Sequence, residues 1–410
     1  MHRRARLLPI ALVVGALTAC STGSAAGPNS SGAPPSTPGP TPRTTHTTSA
    51  GSTAAKPTHT PTHTPSPSGP AEIQLATMSL AQRVGQLFMV DCPSTSVGPA
   101  TVTAITKYHV GSVILDGNSQ LGIEGTAAVV SDLQKLVTNG PQLFVSTDQE
   151  GGEVQRLRGS GFSAIPSAVQ QGTENPGSLK TNTTVWAGQL RAAGVNVDLA
   201  PVLDTVPANS GPNPPIGDLD REYGDTPATV TTHGLAVVAG LAAAGVAATV
   251  KHFPGLGRVA QNTDTTSGVT DYVTTRHDAY LAPFAAAIKA GVPFVMVSTA
   301  VYSKIDPNSP AAFSRTIVTG MLRDDLGFRG VVITDDLGNA TQVSAYPVGS
   351  RAVDFISAGG DMVLTVDANQ AATMTQSVLA EATGSPSFRA LVDAAALRVL
   401  QAKQSQHLLP

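Results

Sequence analysis

The sequence predicts an α/β fold in which eight parallel strands close into a TIM (β/α)8 barrel, and three observations support it. Short apolar runs recur eight times after residue 86, and longer segments with helical spacing alternate with them. The runs are apolar almost throughout, which is typical of parallel strands that are buried on both faces. The stretch from 71 to 406 has the length of a single barrel domain.

The predicted elements follow one another in order along this stretch. A capping-box pattern at Ser79-Leu80-Ala81-Gln82 marks the start of the first helix. The strands are predicted at 87–90, 112–115, 143–146, 197–202, 247–250, 293–297, 331–334 and 362–365. Helical spacing is found at 102–109, 122–137, 185–193, 229–244, 279–290, 314–326 and 348–358. No repeat of fixed period occurs, which argues against a solenoid.

The N-terminus has the three parts of a bacterial lipoprotein signal peptide. Three arginines within residues 3–6 precede an apolar stretch at 7–17, and Leu-Thr-Ala-Cys follows at 17–20. The apolar stretch is too short to span a bilayer. We expect cleavage after residue 19 and lipidation of Cys20. The mature protein would then be anchored to the outer face of the cell membrane or within the cell envelope.

Residues 20–70 are predicted to form a disordered tether between the anchor and the barrel. From 21 to 70 the chain has no aliphatic residue larger than Ala other than Pro, no aromatic residue and no carboxylate. Such a segment cannot bury enough apolar surface to offset its ordering entropy. The irregular spacing of His46, His59 and His63 favours solvated linker over a metal site.

The charge distribution argues against nucleic acid as a partner. Of the 25 basic residues, five precede the first acidic residue, Glu72. The stretch from Glu72 onward therefore contains 20 basic and 28 acidic residues. A globular part with a net charge of −8 (20 − 28) would repel a polyanion. Only Cys92 remains beyond Cys20, and we expect it to be a small buried residue.

Polar residues cluster directly after four of the predicted strands. These clusters are the run 148–156 after the third strand, Asp204 and 218–225 after the fourth, 251–257 after the fifth, and Asp335-Asp336 after the seventh. The carboxyl ends of all strands in a parallel barrel meet at one mouth, where barrel enzymes carry out their chemistry. The sequence therefore predicts a single catalytic site built from these loops.

The stretch 251–257, Lys-His-Phe-Pro-Gly-Leu-Gly, resembles the signature of the family 3 glycoside hydrolases. The likeness is strongest to single-domain β-N-acetylglucosaminidases of actinobacterial type, which trim peptidoglycan fragments. In that family the loop reads Lys-His-Phe-Pro-Gly-His-Gly and is followed by Asp-Ser/Thr-His. Here Leu256 replaces the second His, and Asp264-Thr265-Thr266 follows a longer spacer.

The resemblance covers the whole globular part. It implies a retaining, exo-acting β-glycosidase for terminal N-acetylglucosamine that needs no cofactor and no metal, and we expect a monomer. Rival hypotheses are a β-glucosidase, a glycoside phosphorylase, or a sugar-binding lipoprotein whose catalysis is weakened.

Asp335 and Asp336 end the seventh predicted strand and present two carboxylates at the mouth. A carboxylate there can attack an anomeric carbon and form a glycosyl ester, or it can accept backbone N–H groups at a strand-to-helix turn. The family's nucleophile is the first Asp of this motif. The resemblance therefore assigns the chemistry to Asp335 and leaves the turn to Asp336.

The resemblance also implies that five residues grip the hydroxyls of the terminal sugar: Asp148, Arg156, Arg221, Lys251 and His252. From the residues alone, other roles stay open. The acidic, Gly-containing loop 148–156 could hold a divalent metal. Arg221 could form a surface ion pair with Asp220 or Glu222, and His252 could be structural.

The acid/base residue is the point where this sequence departs from the family. A loop His paired with an Asp protonates the leaving group in the resembled enzymes, and Thr266 stands in place of that His. A hydroxyl has no accessible pKa near neutrality, so it cannot take this role efficiently. Asp264, a carboxylate from a neighbouring loop, or water could do so, and we predict Asp264.

Overall fold

The computed structural model describes residues 69–410, and the predicted signal peptide, Cys20 and nearly all of the tether lie outside them. All eight predicted strands are present and form one parallel sheet. They are β1 Phe88–Pro93, β2 Ser112–Asp116, β3 Phe144–Thr147, β4 Val197–Asp198, β5 Ala247–Phe253, β6 Phe294–Val297, β7 Val331–Thr334 and β8 Val363–Thr365. No helix within residues 69–410 is long and apolar enough to cross a bilayer.

The sheet closes into a barrel, which confirms the predicted fold. Neighbouring strands follow the order β7, β6, β5, β4, β3, β2, β1, β8, and a parallel bridge between Ile333 and Met362 joins the two ends. From β1 to β7, each strand therefore pairs with the strand that precedes or follows it in the sequence of these eight strands. This succession of parallel neighbours is what a βα repeat with right-handed crossovers produces.

Helices surround the barrel and also close one end of it. They are α1 Pro70–Thr77, α2 Leu80–Gln86, α3 Pro99–Tyr108, α4 Gly122–Lys135, α5 Ala168–Gln171, α6 Pro176–Ala192, α7 Pro227–Ala243, α8 Ala282–Lys289, α9 Val348–Ser357, α10 Ala371–Gly384 and α11 Pro386–Ser405, with a π-helix at Thr316–Asp325. The predicted capping box at α2 is confirmed. The Gln82 N–H donates to Ser79 Oγ, and the Ser79 N–H donates to Gln82 Oε1.

The barrel interior is a packed apolar core, and it is sealed at the amino-terminal end of the strands. Met89, Ile114, Phe144, Phe294 and Ile333 belong to this core, together with Val399 from α11. The rings of Phe144 and Phe294 meet edge to face with centroids 5.4 Å apart. Because α11 packs against the amino-terminal ends of the strands, the barrel interior is closed there.

Several strands differ in length from the prediction, and the differences at the fourth and fifth strands shape the mouth. The fourth ends at Asp198 instead of residue 202, because Pro201 has no N–H with which to continue the ladder. The fifth extends to Phe253, three residues past the predicted end. Lys251 and His252 therefore lie within β5, on a rigid element, and not in the loop after it.

Candidate active site

A cavity of about 400 Å³ lies at the carboxyl-terminal mouth of the barrel. Its lining contains every site residue that the sequence predicted in the globular part: Asp148, Arg156, Arg221, Lys251, His252, Asp264 and Asp335. The strand ends contribute apolar groups to the floor, namely Ile114, Leu199, Met296 and Leu364. This volume is near the lower end of the range for small-molecule sites, which suits one sugar unit better than a long chain.

Two carboxylates and two cations form a group at one side of the cavity, where Asp148, Arg221 and Lys251 line it and Glu150 is buried behind them. Lys251 Nζ lies 2.6 Å from Asp148 Oδ1 and 2.6 Å from Glu150 Oε1. Arg221 donates to both Glu150 oxygens, from Nε at 2.8 Å and from Nη2 at 2.7 Å. We call these four residues, Asp148, Glu150, Arg221 and Lys251, the ionic cluster. The partner of Arg221 is thus Glu150, and neither Asp220 nor Glu222.

Mutual stabilisation keeps the ionic cluster charged despite its burial. Burial opposes ionisation of Glu150, but the charges of Arg221 and Lys251 outweigh it and hold its pKa well below the usual range. Burial likewise opposes the charge on Lys251, and Asp148 and Glu150 raise its pKa above the ordinary value. Since the cations occupy the carboxylate oxygens of this loop, the alternative of a divalent-metal site is disfavoured.

His252 is held in place from below by a buried carboxylate. His252 Nδ1 lies 2.7 Å from Asp204 Oδ2, and Asp204 is completely buried. The other oxygen of Asp204 accepts the backbone N–H groups of His252 and Leu256. With Nδ1 committed to Asp204, the ring orientation is fixed and Nε2 is the nitrogen left for a ligand.

Asp335 and Asp336 have different surroundings. Asp336 accepts four backbone N–H groups, from Gly338, Val366, Asn339 and Ala340, so its oxygens organise the turn after β7. Asp335 accepts only the N–H of Asp336, at 2.9 Å through Oδ1. Within residues 69–410, Asp335 Oδ2 has no hydrogen-bond partner, so this oxygen is available to the cavity.

Asp264 lies on a loop that is fastened to the loop after β7. The backbone N–H groups of Thr341 and Gln342 donate to the carbonyls of Asp264 and Thr263, both at 3.0 Å. The side chain of Gln342 also binds the backbone of Val269 on the same loop. The Asp264 carboxyl is exposed to the cavity and accepts no hydrogen bond from the described residues. Thr266 does not line the cavity.

The electrostatic surroundings favour the protonated forms of Asp264 and Asp335. Burial raises the pKa of Asp335, and the charge of Asp264 adds to this effect while positive charge on His252 and Lys251 opposes it. The cavity walls desolvate Asp264 and raise its pKa, although the side chain remains exposed at the mouth. Positive charge on His252 and Arg221 opposes the rise in the pKa of Asp264, and the negative charges of Asp336 and Asp148 add to it.

Three site residues were not singled out from the sequence. Glu150 and Asp204 stood within the polar clusters, but their roles as partners of Arg221 and His252 depend on long-range contacts. Asp116 lines the cavity at the end of β2. A signal for it existed, since Asp116 follows the apolar run Val113 to Leu115 as Asp335 follows its own apolar strand.

Comparison with known proteins agrees with this geometry. Residues 79–402 match the model of the glycosyl hydrolase family 3 N-terminal domain. A crystal structure of a β-N-acetylhexosaminidase from Beutenbergia cavernae shares 52% identity and superposes with a TM-score of 0.79, covering 80% of this chain and 99% of that one.

Two further relatives carry related names. A family 3 β-N-acetylglucosaminidase from Paenibacillus is 33% identical with a TM-score of 0.74, covering 81% of this chain and 63% of that one. A β-hexosaminidase of Xanthomonas campestris is 37% identical over 270 residues, which is 63% of this chain and 77% of that protein.

Proposed function

This chain belongs to glycosyl hydrolase family 3 and is a glycoside hydrolase, and we propose that it removes terminal β-linked N-acetylglucosamine with retention of configuration. The observation that carries the proposal is one cavity that is lined by Asp148, Arg221 and Lys251 of the ionic cluster and by Asp335 at the end of β7, whose Oδ2 has no hydrogen-bond partner among residues 69–410. A carboxylate facing a hydroxyl-binding wall is the arrangement that glycosyl-ester chemistry requires.

In the first step, a carboxylate oxygen of Asp335 attacks the anomeric carbon of the terminal sugar. The bond from that carbon to the leaving oxygen breaks, and the oxygen takes the proton of Asp264 and departs as an alcohol. In the second step, Asp264 accepts a proton from water, the resulting hydroxide adds to the anomeric carbon, and Asp335 leaves as a carboxylate. Two inversions at one carbon give net retention.

This division of labour requires one proton shared unequally between the two carboxyls. Lys251 is among the charges that favour the ionised form of Asp335. Asp336 and Asp148 are among those that favour the protonated form of Asp264. Burial raises the pKa of both carboxyls, and the positive charge of Lys251 near Asp335 and the negative charge of Asp148 near Asp264 support Asp335 as the nucleophile and Asp264 as the acid.

The names of the relatives and the size of the cavity support the substrate class. Proteins similar to this chain are named β-N-acetylhexosaminidases and β-N-acetylglucosaminidases. A cavity of about 400 Å³ supports cleavage from a chain end. The predicted anchor at Cys20 and the tether, both outside the described residues, support action on peptidoglycan fragments on the outer side of the cell membrane.

A covalent trap tests the proposal directly. We expect 5-fluoro-N-acetylglucosaminyl fluoride to add one sugar to the protein, on the peptide that contains Asp335, and the Asp335→Asn variant to remain unlabelled. The first sugar released from an aryl β-N-acetylglucosaminide should be the β-anomer by NMR. A first product in the α-form would exclude retention, and no release from muropeptides would exclude the proposed natural substrate.

A further inference from the structure

Asp116 presents a carboxylate to the cavity that neither the fold nor the proposed chemistry uses. It is the last residue of β2, its side chain is partly exposed, and it lines the same cavity as Asp335. Oδ1 accepts the neighbouring Gly117 N–H at 2.7 Å. Among residues 69–410 Asp116 forms no ion pair, so its second oxygen keeps its full accepting capacity.

The position of Asp116 in the barrel determines which part of a bound sugar it meets. The anomeric carbon has to lie at Asp335, which follows β7. In the closed strand order, β2 is separated from β7 by β8 and β1 on one side and by β3 to β6 on the other. The carbons farthest from the anomeric centre, C4 and C6, therefore point across the mouth towards β2 and β3.

Arg156 lies on the same side of the mouth and complements Asp116. The Ser119 N–H, just after Asp116, donates to the Arg156 carbonyl at 2.9 Å, which holds the two segments together. Arg156 also lines the cavity, and its guanidinium donates no hydrogen bond to another residue in the described part of the chain. A sugar hydroxyl both donates and accepts, so a free carboxylate beside a free guanidinium can satisfy it completely.

We propose that Asp116 is a specificity-determining residue that accepts a hydrogen bond from the C4 or C6 hydroxyl of the terminal sugar. This inference rests on the proposed function for the identity of the sugar. A carboxylate at this position selects substrates that keep the hydroxyl and rejects sugars with an anionic group there, because two like charges would be desolvated together.

Aryl β-N-acetylglucosaminides lacking either the 4-hydroxyl or the 6-hydroxyl test the assignment. A hydrogen bond to a charged group affects kcat/KM by about 10- to 100-fold. We expect wild-type protein to disfavour one deoxy substrate by that factor. In Asp116→Ala, kcat/KM for the parent substrate should fall by the same factor, while the value for that deoxy substrate stays unchanged. Asn118→Ala, an exposed change two residues away, is the matched control.

Two results would overturn the proposal. One is that Asp116→Ala lowers kcat/KM equally for the parent and for both deoxy substrates, which would indicate a structural role for Asp116. The other is that Asp116→Ala still disfavours the same deoxy substrate by the wild-type factor. Failure of the proposed function is distinct from both, since it would appear in wild-type protein as hydrolysis of a different aryl glycoside. The same comparison with deoxy forms of that glycoside then still tests Asp116.

Discussion

The two ends of the barrel each bury a lysine, and they surround it with different partners. At the mouth, Lys251 is 2% exposed and lies 2.6 Å from carboxylate oxygens of both Asp148 and Glu150. At the closed end, Lys403 of α11 is 0% exposed and donates to Gln86 Oε1 and to the Gly111 carbonyl, both at 2.8 Å. The neutral oxygens around Lys403 bind the ammonium group but bring no opposing charge.

This difference changes the charge that each end maintains. Burial lowers the pKa of Lys403 to about 7, whereas the two carboxylates overcome burial and raise the pKa of Lys251. The mouth thus keeps fixed charges where a polar ligand would bind. The closed end uses its lysine to link α11 to the starts of the strands. The mouth also holds Asp264, whose carboxyl accepts no hydrogen bond from residues 69–410, and this proposed acid lies in the same cavity as the paired charges.

The largest effect is expected from removing the carboxyl of Asp264 at the mouth. Asp264→Asn should slow cleavage of substrates with poor leaving groups by about 100- to 10,000-fold, the usual contribution of a general acid. Dinitrophenyl glycosides, whose leaving group needs no proton, should be affected far less. Steady-state kinetics on a disaccharide and on an activated aryl glycoside measure the contrast. The Thr266→Ala variant is the control, since Thr266 does not line the cavity.

The pH dependence of the rate is a second test of the role of Asp264, in which wild type is compared with Asp264→Asn. The raised pKa of Asp264 means that the wild-type rate on the disaccharide should fall as the pH rises through that pKa, because the acid loses its proton. The rate should also fall as the pH drops through the pKa of Asp335, because the nucleophile gains one. The alkaline limb should vanish in Asp264→Asn. Equal slowing of both substrates would assign the proton transfer to another carboxylate.

A smaller effect is expected from breaking the paired wall. Lys251→Met leaves Asp148 without an ion-pair partner among residues 69–410 and leaves Glu150 with Arg221, and it removes the proposed donor to the sugar. We expect kcat/KM to fall by about 100-fold through misplaced substrate. The free energy of unfolding should fall by about 3–5 kcal/mol, because a buried charge loses its partner. Denaturant unfolding together with aryl glycoside kinetics checks both values, and an unchanged stability would contradict the account of the ionic cluster.

The sequence identified the strands because parallel strands buried on both faces appear as apolar runs. Each polar cluster could be assigned to the mouth because the carboxyl ends of parallel strands lie at the same end of the barrel. The bounds of β4 and β5 were wrong where Pro201 interrupts the ladder and where β5 continues through Lys251 and His252, polar residues that a strand pattern excludes.

The pairing of charges could not be read from the sequence. Arg221 has two acids within one residue of it, yet its partner Glu150 lies 71 residues away. His252 and Asp204 are separated by 48 residues. Only the closure of the barrel decides which strand ends become neighbours, so nearby acids in the sequence were misleading partners. Asp116 was missed because a single carboxylate after a strand is equally typical of a turn.

The smallest effect is expected from making the same change at the closed end, Lys403→Met. Activity should stay within about threefold of wild type, because Lys403 lies at the opposite end from the cavity, and the unfolding free energy at pH 7 should change by less than about 2 kcal/mol. In wild type, the lowered pKa leaves folded Lys403 neutral above about pH 7, while the unfolded lysine stays protonated up to its ordinary pKa of 10.5. The unfolded state therefore binds more protons in that window, and stability should rise with pH by up to about 1.4 kcal/mol per unit from this group.

This slope of unfolding free energy against pH should be absent in Lys403→Met and present in Lys251→Met. An identical slope in Lys403→Met and wild type would mean that Lys403 stays charged in the fold, and the two ends would then differ only in the partners of their lysines.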